Sequence, residues 1–482
     1  MREIYPLQER PRFTIAIIGG GFTGAMLTVQ LLRKAGEGVS VVLVERRSEP
    51  GRGVAYGTAF EGHLLNVRAH NMSAYPDAPD HFVRWAQRNY RASVKPDDFL
   101  PRAVYGQYVA SQFRQATESH PRQFRYIRNE AVGLIQTGSF AEVHLAGGEK
   151  IIADKAVLAL GHFPPGDLAL PGKTADCPRF ISNPWSPEAT RHANQDNSVL
   201  LVGSGLTSVD VAVELRARGF KGVIHILSRR GLLPQSHKPT GPFPPFQSDG
   251  CPLTVLELLQ LIRLHVRAAE GRGSDWRQVI DSLRPVTQQL WRNLPLAEQK
   301  RFLRHLRPYW DAHRHRIAEA IADQLTAERE SGQIQMHAGR ITEYREDAEG
   351  VDICYRERNS GKSAKLRVDR VVNCTGPDSD YRRVGSPLLS DLMNKGLARP
   401  DQLSLGLDSA DDGALLDARG VPSDVLYTLG PLRKGGLWES IAVPELRVQV
   451  ADLAQHLLIV HRAEDEAVRF ALGSERSPVP YV

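Results

Sequence analysis

Short apolar runs alternate along this chain with longer stretches whose apolar residues recur at helical spacing. Thr14-Ile-Ala-Ile-Ile18 precedes a stretch beginning at Phe22 that carries apolar Ala25, Leu27, Val29, Leu31 and Leu32, and Val39-Ser-Val-Val-Leu-Val-Glu45 follows. Uninterrupted runs of this kind predict strands buried on both faces, and their alternation with helices predicts a parallel sheet. The succession returns at Ser198-Val-Leu-Leu-Val202, a helical run, and Gly222-Val-Ile-His-Ile-Leu227. Two further apolar runs, Ala156-Val-Leu-Ala-Leu-Gly161 and Asp369-Arg-Val-Val-Asn-Cys-Thr-Gly376, each close on a glycine.

Between strand and helix, both units carry a glycine-rich turn: Gly19-Gly-Gly21-Phe-Thr-Gly24 and Gly203-Ser-Gly205-Leu-Thr-Ser208. In such a fingerprint the first glycine permits the turn, the second lets the backbone approach a pyrophosphate, and the third allows helix to pack on strand. The phosphates then meet free N–H groups at a helix N-terminus. Two copies imply two bound nucleotides. In the first, Glu45 stands 26 positions after Gly19, where a carboxylate accepts hydrogen bonds from a ribose diol. An N-terminal fingerprint followed by a second one points to FAD in the first. In the second, the acidic position is taken by Ser228-Arg229-Arg230. Guanidinium groups pair with a 2′-phosphate that a carboxylate would repel, so NADPH is favoured over NADH. The alternative is a solvated basic loop that tolerates either.

The expected fold is α/β, with two Rossmann-like dinucleotide-binding domains, the FAD domain discontinuous. Residues 1–196 would form its first segment, 197–375 the NAD(P) domain, and 376–482 its second segment. Residues 254–330 have another texture, with Val255, Leu258, Leu259 and Ile262 at helical spacing and little strand signal, which predicts a helical insertion. Within it His313 and His315 lie two apart, on different faces of a helix, so no metal site is expected.

At 482 residues, 41% hydrophobic and 24% charged, the chain has an ordinary soluble composition with room for two or three domains. Its net charge of +6 comes from scattered arginines, which suits anionic cofactors and substrates better than nucleic acid. Cys177, Cys251, Cys354 and Cys374 form no C-x-x-C pair, which excludes dithiol reductases and a zinc cluster and fits reducing conditions. The stretch Met1 to Phe13 is polar, and no run approaches the roughly 20 apolar residues of a membrane span. A cytoplasmic protein without a membrane partner is expected, of undetermined oligomeric state.

The segments Gly51-Arg-Gly-Val-Ala-Tyr-Gly57, His63-Leu-Leu-Asn-Val67, Met72-Ser-Ala74, Leu227-Ser-Arg-Arg-Gly-Leu-Leu-Pro234, Trp310 to Arg316 and Leu437-Trp-Glu-Ser440 resemble the bacterial FAD/NAD(P)-binding proteins grouped with FAD-dependent urate hydroxylases and aspartate N-monooxygenases. The resemblance implies a flavin monooxygenase with tightly bound FAD and a visiting nicotinamide, acting on a small molecule and dioxygen. It implies that Gly53, Val54, Tyr56, Asn66 and Val67 line the flavin. It also implies that Gly430 and Pro431 belong to the late FAD turn and that the helix after Pro444 points at the flavin's pyrimidine edge, while the run ending in Gly376 itself reads as the close of the nicotinamide domain. Where the family pattern carries proline after Asn66-Val67, this chain has Arg68.

In such an enzyme NAD(P)H reduces the flavin, a flavin hydroperoxide forms, and its terminal oxygen goes to an electron-rich substrate. Urate, yielding 5-hydroxyisourate, is the first expectation. As an anion it needs a positive group and in-plane hydrogen-bond partners. Asn66, Arg68 and His70 are the leading candidates for the chemistry, with His63 and Asn71 beside them. An N-hydroxylating monooxygenase of an amino acid or amine is the alternative, although no carboxylate-and-ammonium recognition pair is visible. A flavin-binding regulatory protein without turnover is the third reading.

Overall fold

The computed structural model describes residues 13–474, except 48, 175, 192, 242, 247–249, 251 and 252. Cys251 and residues 1–12 fall outside it.

Two sheets organise the chain. In the first, the strands run in the order Ala414–Leu416, Pro422–Thr428, Lys155–Leu158, Phe13–Ile18, Val39–Val44 and Phe124–Ile127. All are parallel except the antiparallel pair at the Ala414–Leu416 edge. Ile15, Ile17, Val41, Leu43 and Val157 are wholly buried, as parallel strands covered on both faces must be. Helices Phe22–Lys34, Arg102–Ser119 and Val443–Ser474 cover one face. A three-stranded antiparallel sheet, residues 131–153, covers the other with helix Pro387–Asn394. The first sheet therefore joins both ends of the chain, with Leu426 in register with Ala156.

The second sheet runs Ser363–Val368, Val351–Glu357, Ile334–Glu346, Val223–Ser228, Ser198–Val202, Arg370–Asn373 and Phe180–Ile181. Phe180 and Ile181 pair with Val371 and Val372, so the chain enters this sheet before residue 197, the expected start of the NAD(P) domain. The strand is only two residues long, too short to carry an apolar pattern.

Residues 255–330 form helices Val255–Glu270, Trp276–Ser282, Thr287–Asn293, Leu296–His305, Arg307–Arg314 and Glu319–Glu330. Thr254 and Asp275 cap the first two by accepting from backbone N–H groups of Glu257 and Arg277. The insertion docks on the returning C-terminal segment, since Val255, Leu258, Trp291 and Leu294 share a core with Leu405 and Trp438. Trp438 holds φ 59°, an unusual conformation for a bulky residue. Its indole stacks on Trp291 at 5.0 Å, and Trp291 Nε1 donates to the Gly435 carbonyl at 2.8 Å.

The two nucleotide units meet through an ion pair. Arg102, at the start of its helix, donates to both Asp210 carboxylate oxygens at 2.7 and 3.2 Å. Asp210 lies on helix Leu206–Ala217, directly after the second fingerprint.

Candidate functional site

Each fingerprint builds a helix start stripped of side chains. Gly19 has φ 107°, and a Cβ there would lie 2.5 Å from the Ala159 carbonyl oxygen. Gly21 precedes the helix with only the Gly53 Cα near, at 3.9 Å. Gly24 packs on the Gly19 carbonyl so tightly that no side chain fits. Gly51 donates its N–H to Gly20 O at 2.7 Å, which folds the Gly51 to Gly57 loop over the turn. Glu45 accepts from Gly20 N–H at 2.6 Å and from Arg47 N–H at 2.8 Å, so its carboxylate sits at the mouth of the loop, where a ribose would lie.

The second turn repeats this design. Gly203 has φ 112° and packs on Cys374 and Thr375, whereas Gly205 faces open space. Ser208 replaces a glycine because its hydroxyl folds back onto the Gly205 carbonyl at 2.8 Å. Ser228 holds the place of Glu45, and its hydroxyl meets Ser204 Oγ at 2.8 Å and accepts from Gly231 N–H at 2.9 Å. Arg229 is exposed. Arg230 lies over the Tyr309 ring at 5.0 Å. Gly376 has φ 87° with open space around it.

The residues present fit a flavin dinucleotide along the first unit. The hydroxyls of Tyr105 and Ser440 and Nε2 of Gln449 are buried without a hydrogen-bond partner, although buried polar groups are normally satisfied. Gln449 Oε1 meanwhile accepts from Gly430 N–H at 3.1 Å. Gly430 has φ 77° and packs on Thr23 of the first helix, and Pro431 is buried beside it. Tyr56 packs edge-on against Tyr105 at 4.6 Å, and burial raises its pKa, so it stays a neutral phenol. Val54 is exposed at 40%.

A cavity of about 980 Å³ opens between the Asn66 to Asn71 loop, the insertion and the last helix. Asn66, Val67, Arg68, His70 and Asn71 all line it. The Asn66 carbonyl accepts from His237 Nε2 at 3.0 Å. Arg68 donates to Asp97 O at 2.9 Å and lies over the Phe99 ring, and its buried Nη2 has no hydrogen-bond partner. His70 Nδ1 is 3.0 Å from Pro96 O, and its Nε2 is 2.9 Å from the Asn71 amide. His63 is not among the lining residues. It is 2% exposed, with Nε2 3.2 Å from the Asp210 carbonyl and 3.4 Å from Glu214. It serves the seam between the two units, which local sequence could not reveal because its partners lie about 150 positions away.

Across the cavity stand charged groups that spacing alone did not single out. Arg284 donates to both Glu445 oxygens at 2.6 and 3.0 Å. Arg314 lies 3.5 Å from Glu439 and 3.9 Å from Glu445, and its Nε and Nη2 make no hydrogen bond. Arg316 pairs with Asp281. The helix carrying Arg314 ends there, so His315 leaves the helical face and enters the cavity wall. Loss of hydration pushes His315 down to about 4 and, with nearby arginines, His237 down to about 3. Both are neutral near pH 7. Burial likewise pushes Lys434 down to about 8. Among the described residues no group of three metal-ligating side chains occurs, and no helix is long and apolar enough to cross a membrane.

The FAD-NAD(P)-binding family model matches residues 16–163, and no curated protein matches the chain. Ornithine hydroxylase from Pseudomonas aeruginosa, in its reduced form, superposes with a TM-score of 0.62 at 15% identity over 93% of this chain and 99% of that one. The ornithine N-hydroxylase of Kutzneria sp. 744, with reduced FAD, NADP+ and L-ornithine, gives 0.58 at 14% over 94% and 100%. The FAD-bound cadaverine monooxygenase of the Erwinia amylovora desferrioxamine pathway gives 0.62 at 13% over 92% and 94%. At such identities the likeness is one of fold. The chain contains an FAD/NAD(P)-binding domain in a Rossmann-type α/β architecture.

Proposed function

We propose that this chain is an FAD-dependent, NADPH-consuming monooxygenase that hydroxylates the nitrogen of a small amine or amino acid. The observation that carries this reading is the cavity wall, which brings guanidinium and carboxylate groups together, Arg284 and Arg314 beside Glu445 and Arg316 beside Asp281. Such a wall offers partners to both an ammonium and a carboxylate, the recognition pair that the sequence lacked. It suits urate less, because the carboxylates repel an anion that the arginines attract. The similar folds named for ornithine and cadaverine add support.

Bound FAD, once reduced by the nicotinamide, supplies activated dioxygen. The protein's part is to bind, orient and exclude water. The two stripped helix starts would receive the two pyrophosphates, with Glu45 on the first ribose. The Asn66 to Asn71 loop and the last helix would hold the substrate between flavin and insertion. The amine must lose its proton to act as a nucleophile. His237, whose Nε2–H is spent on the Asn66 carbonyl, and His315 are neutral and line the cavity without adding positive charge that would oppose an ammonium.

Purified, FAD-loaded protein would be assayed aerobically with NADPH against ornithine, lysine, aspartate, cadaverine and urate, following hydroxylamine formation, urate loss and peroxide together. Hydroxylamine formed in step with NADPH supports the proposal. Stoichiometric urate loss would replace it with the urate reading, and peroxide alone with every substrate would remove the amine assignment.

A further inference from the structure

The two nucleotide sites can be compared at one equivalent position, the end of the second strand. In the first unit Glu45 reaches back to the Gly20 N–H at 2.6 Å. In the second, Ser228 reaches back to Ser204 at 2.8 Å, and its hydroxyl is further tied to Gly231 N–H. Ser228 contributes no negative charge, so selection at the nicotinamide ribose falls to the two arginines that follow. They are held differently. Among the described residues Arg229 is exposed and has no hydrogen bond or ion pair, whereas Arg230 is gripped by the insertion.

The Arg230 guanidinium lies over the Tyr309 ring at 5.0 Å, with Nη1 3.3 Å from the Tyr309 hydroxyl and Nη2 3.4 Å from the Arg304 carbonyl. Neither partner is a carboxylate, so the positive charge is not neutralised. A guanidinium has five N–H donors, and these two long contacts leave the others free. Stacking on an aromatic face fixes its plane while keeping an edge open for a phosphate. Fixing it before the ligand arrives also removes part of the rotamer entropy lost on binding.

We propose that the helical insertion completes a subsite for the nicotinamide 2′-phosphate, with Tyr309 as a positioning residue that holds Arg230 beside Arg229 and so selects NADPH over NADH. The inference rests on the nicotinamide reading of the second fingerprint and not on which substrate is hydroxylated. It gives the insertion a role at both sites, because helix Arg307–Arg314 carries Tyr309 toward the nucleotide loop and Arg314 into the cavity wall.

The test is calorimetric titration of FAD-loaded protein with adenosine 2′,5′-bisphosphate and with 5′-AMP, in the wild type, Tyr309→Ala, Tyr309→Phe and Arg229→Ala. The wild type should bind the bisphosphate more tightly than 5′-AMP. Tyr309→Ala should weaken the bisphosphate about two- to fivefold, as loss of an exposed cation–π contact implies, and leave 5′-AMP unchanged. Tyr309→Phe should keep most of the affinity and Arg229→Ala should lose more. Because Tyr309 is 40% exposed, these variants should fold. Equal weakening of both ligands by Tyr309→Ala, or no weakening, would overturn the role of Tyr309. Failure of both nucleotides to bind would overturn the nicotinamide reading beneath it, while leaving the cavity assignment to be judged by substrate turnover.

Discussion

Glu445, in the first turn of the last helix, holds Arg284 of the helical insertion through two hydrogen bonds, Nε to Oε1 at 2.6 Å and Nη2 to Oε2 at 3.0 Å. The pair is 12% and 23% exposed, and Arg314 stands 3.9 Å from the same carboxylate. It joins elements 161 positions apart. A carboxylate near a helix N-terminus is favoured by the dipole, and a bidentate guanidinium fixes its orientation.

Glu445→Ala leaves two cavity arginines short of an anion. Breaking a buried pair from one side costs about 3–5 kcal/mol, and with Arg284 partly exposed a loss of about 2–3 kcal/mol is expected. Urea denaturation of the FAD-loaded protein measures it. A change within about 0.5 kcal/mol would mean that the pair is ordinary surface charge.

Asp210→Asn keeps the shape of the seam but removes the charge that Arg102 grips. FAD content should be unchanged, while the rate of anaerobic flavin reduction by saturating NADPH falls, since the two nucleotide units lose their fixed alignment. Stopped-flow absorbance at the flavin band reads it directly, and an unaltered rate would show that the seam does not set hydride geometry.

Gly205 faces open space, so a side chain there meets only what binds. Gly205→Val should keep the melting temperature of the nicotinamide-free protein within a few degrees yet abolish NADP+ binding by calorimetry. Retained affinity would place the pyrophosphate elsewhere.

Four buried or half-buried histidines make the fold sensitive to acid. His237 is pushed down to about 3, and His162, His225 and His315 to about 4, each mainly by loss of hydration. In the unfolded chain they titrate near 6.5. The unfolded state therefore takes up protons that the folded state refuses, and the stability these groups contribute is present above about pH 6.5 and lost as pH falls toward 4. Each group steepens the loss by up to about 1.4 kcal/mol per pH unit. Urea midpoints compared at pH 7.5 and 5 should drop, and His237→Asn should flatten the decline; a pH-independent midpoint would refute the assignment.

The two strand-turn-helix units were legible in the sequence because their determinants are local. A fully buried parallel strand must be apolar throughout, and a turn such as that at Gly19 excludes any residue with a Cβ. The helical texture of residues 255–330 was legible for the same reason, from apolar spacing. The two-residue strand at Phe180 was not, because its place in the second sheet depends on Val371 and Val372. Asn66, Arg68, His70 and Asn71 of the cavity wall were legible, but the long-range pairs that join the molecule were not. Arg284 with Glu445, Arg314 with Glu439, Arg102 with Asp210 and Arg230 with Tyr309 are pairs separated by between 79 and 161 positions. In sequence Arg230 and Arg314 stand out by their segments but their partners do not, and Arg102 and Arg284 are two more arginines among many. The chain itself determined where nucleotides could be cradled, since that needs only a few adjacent residues. Tertiary packing decided which charges face one another across the cavity, because ion pairing depends on distance in space and no local pattern encodes it.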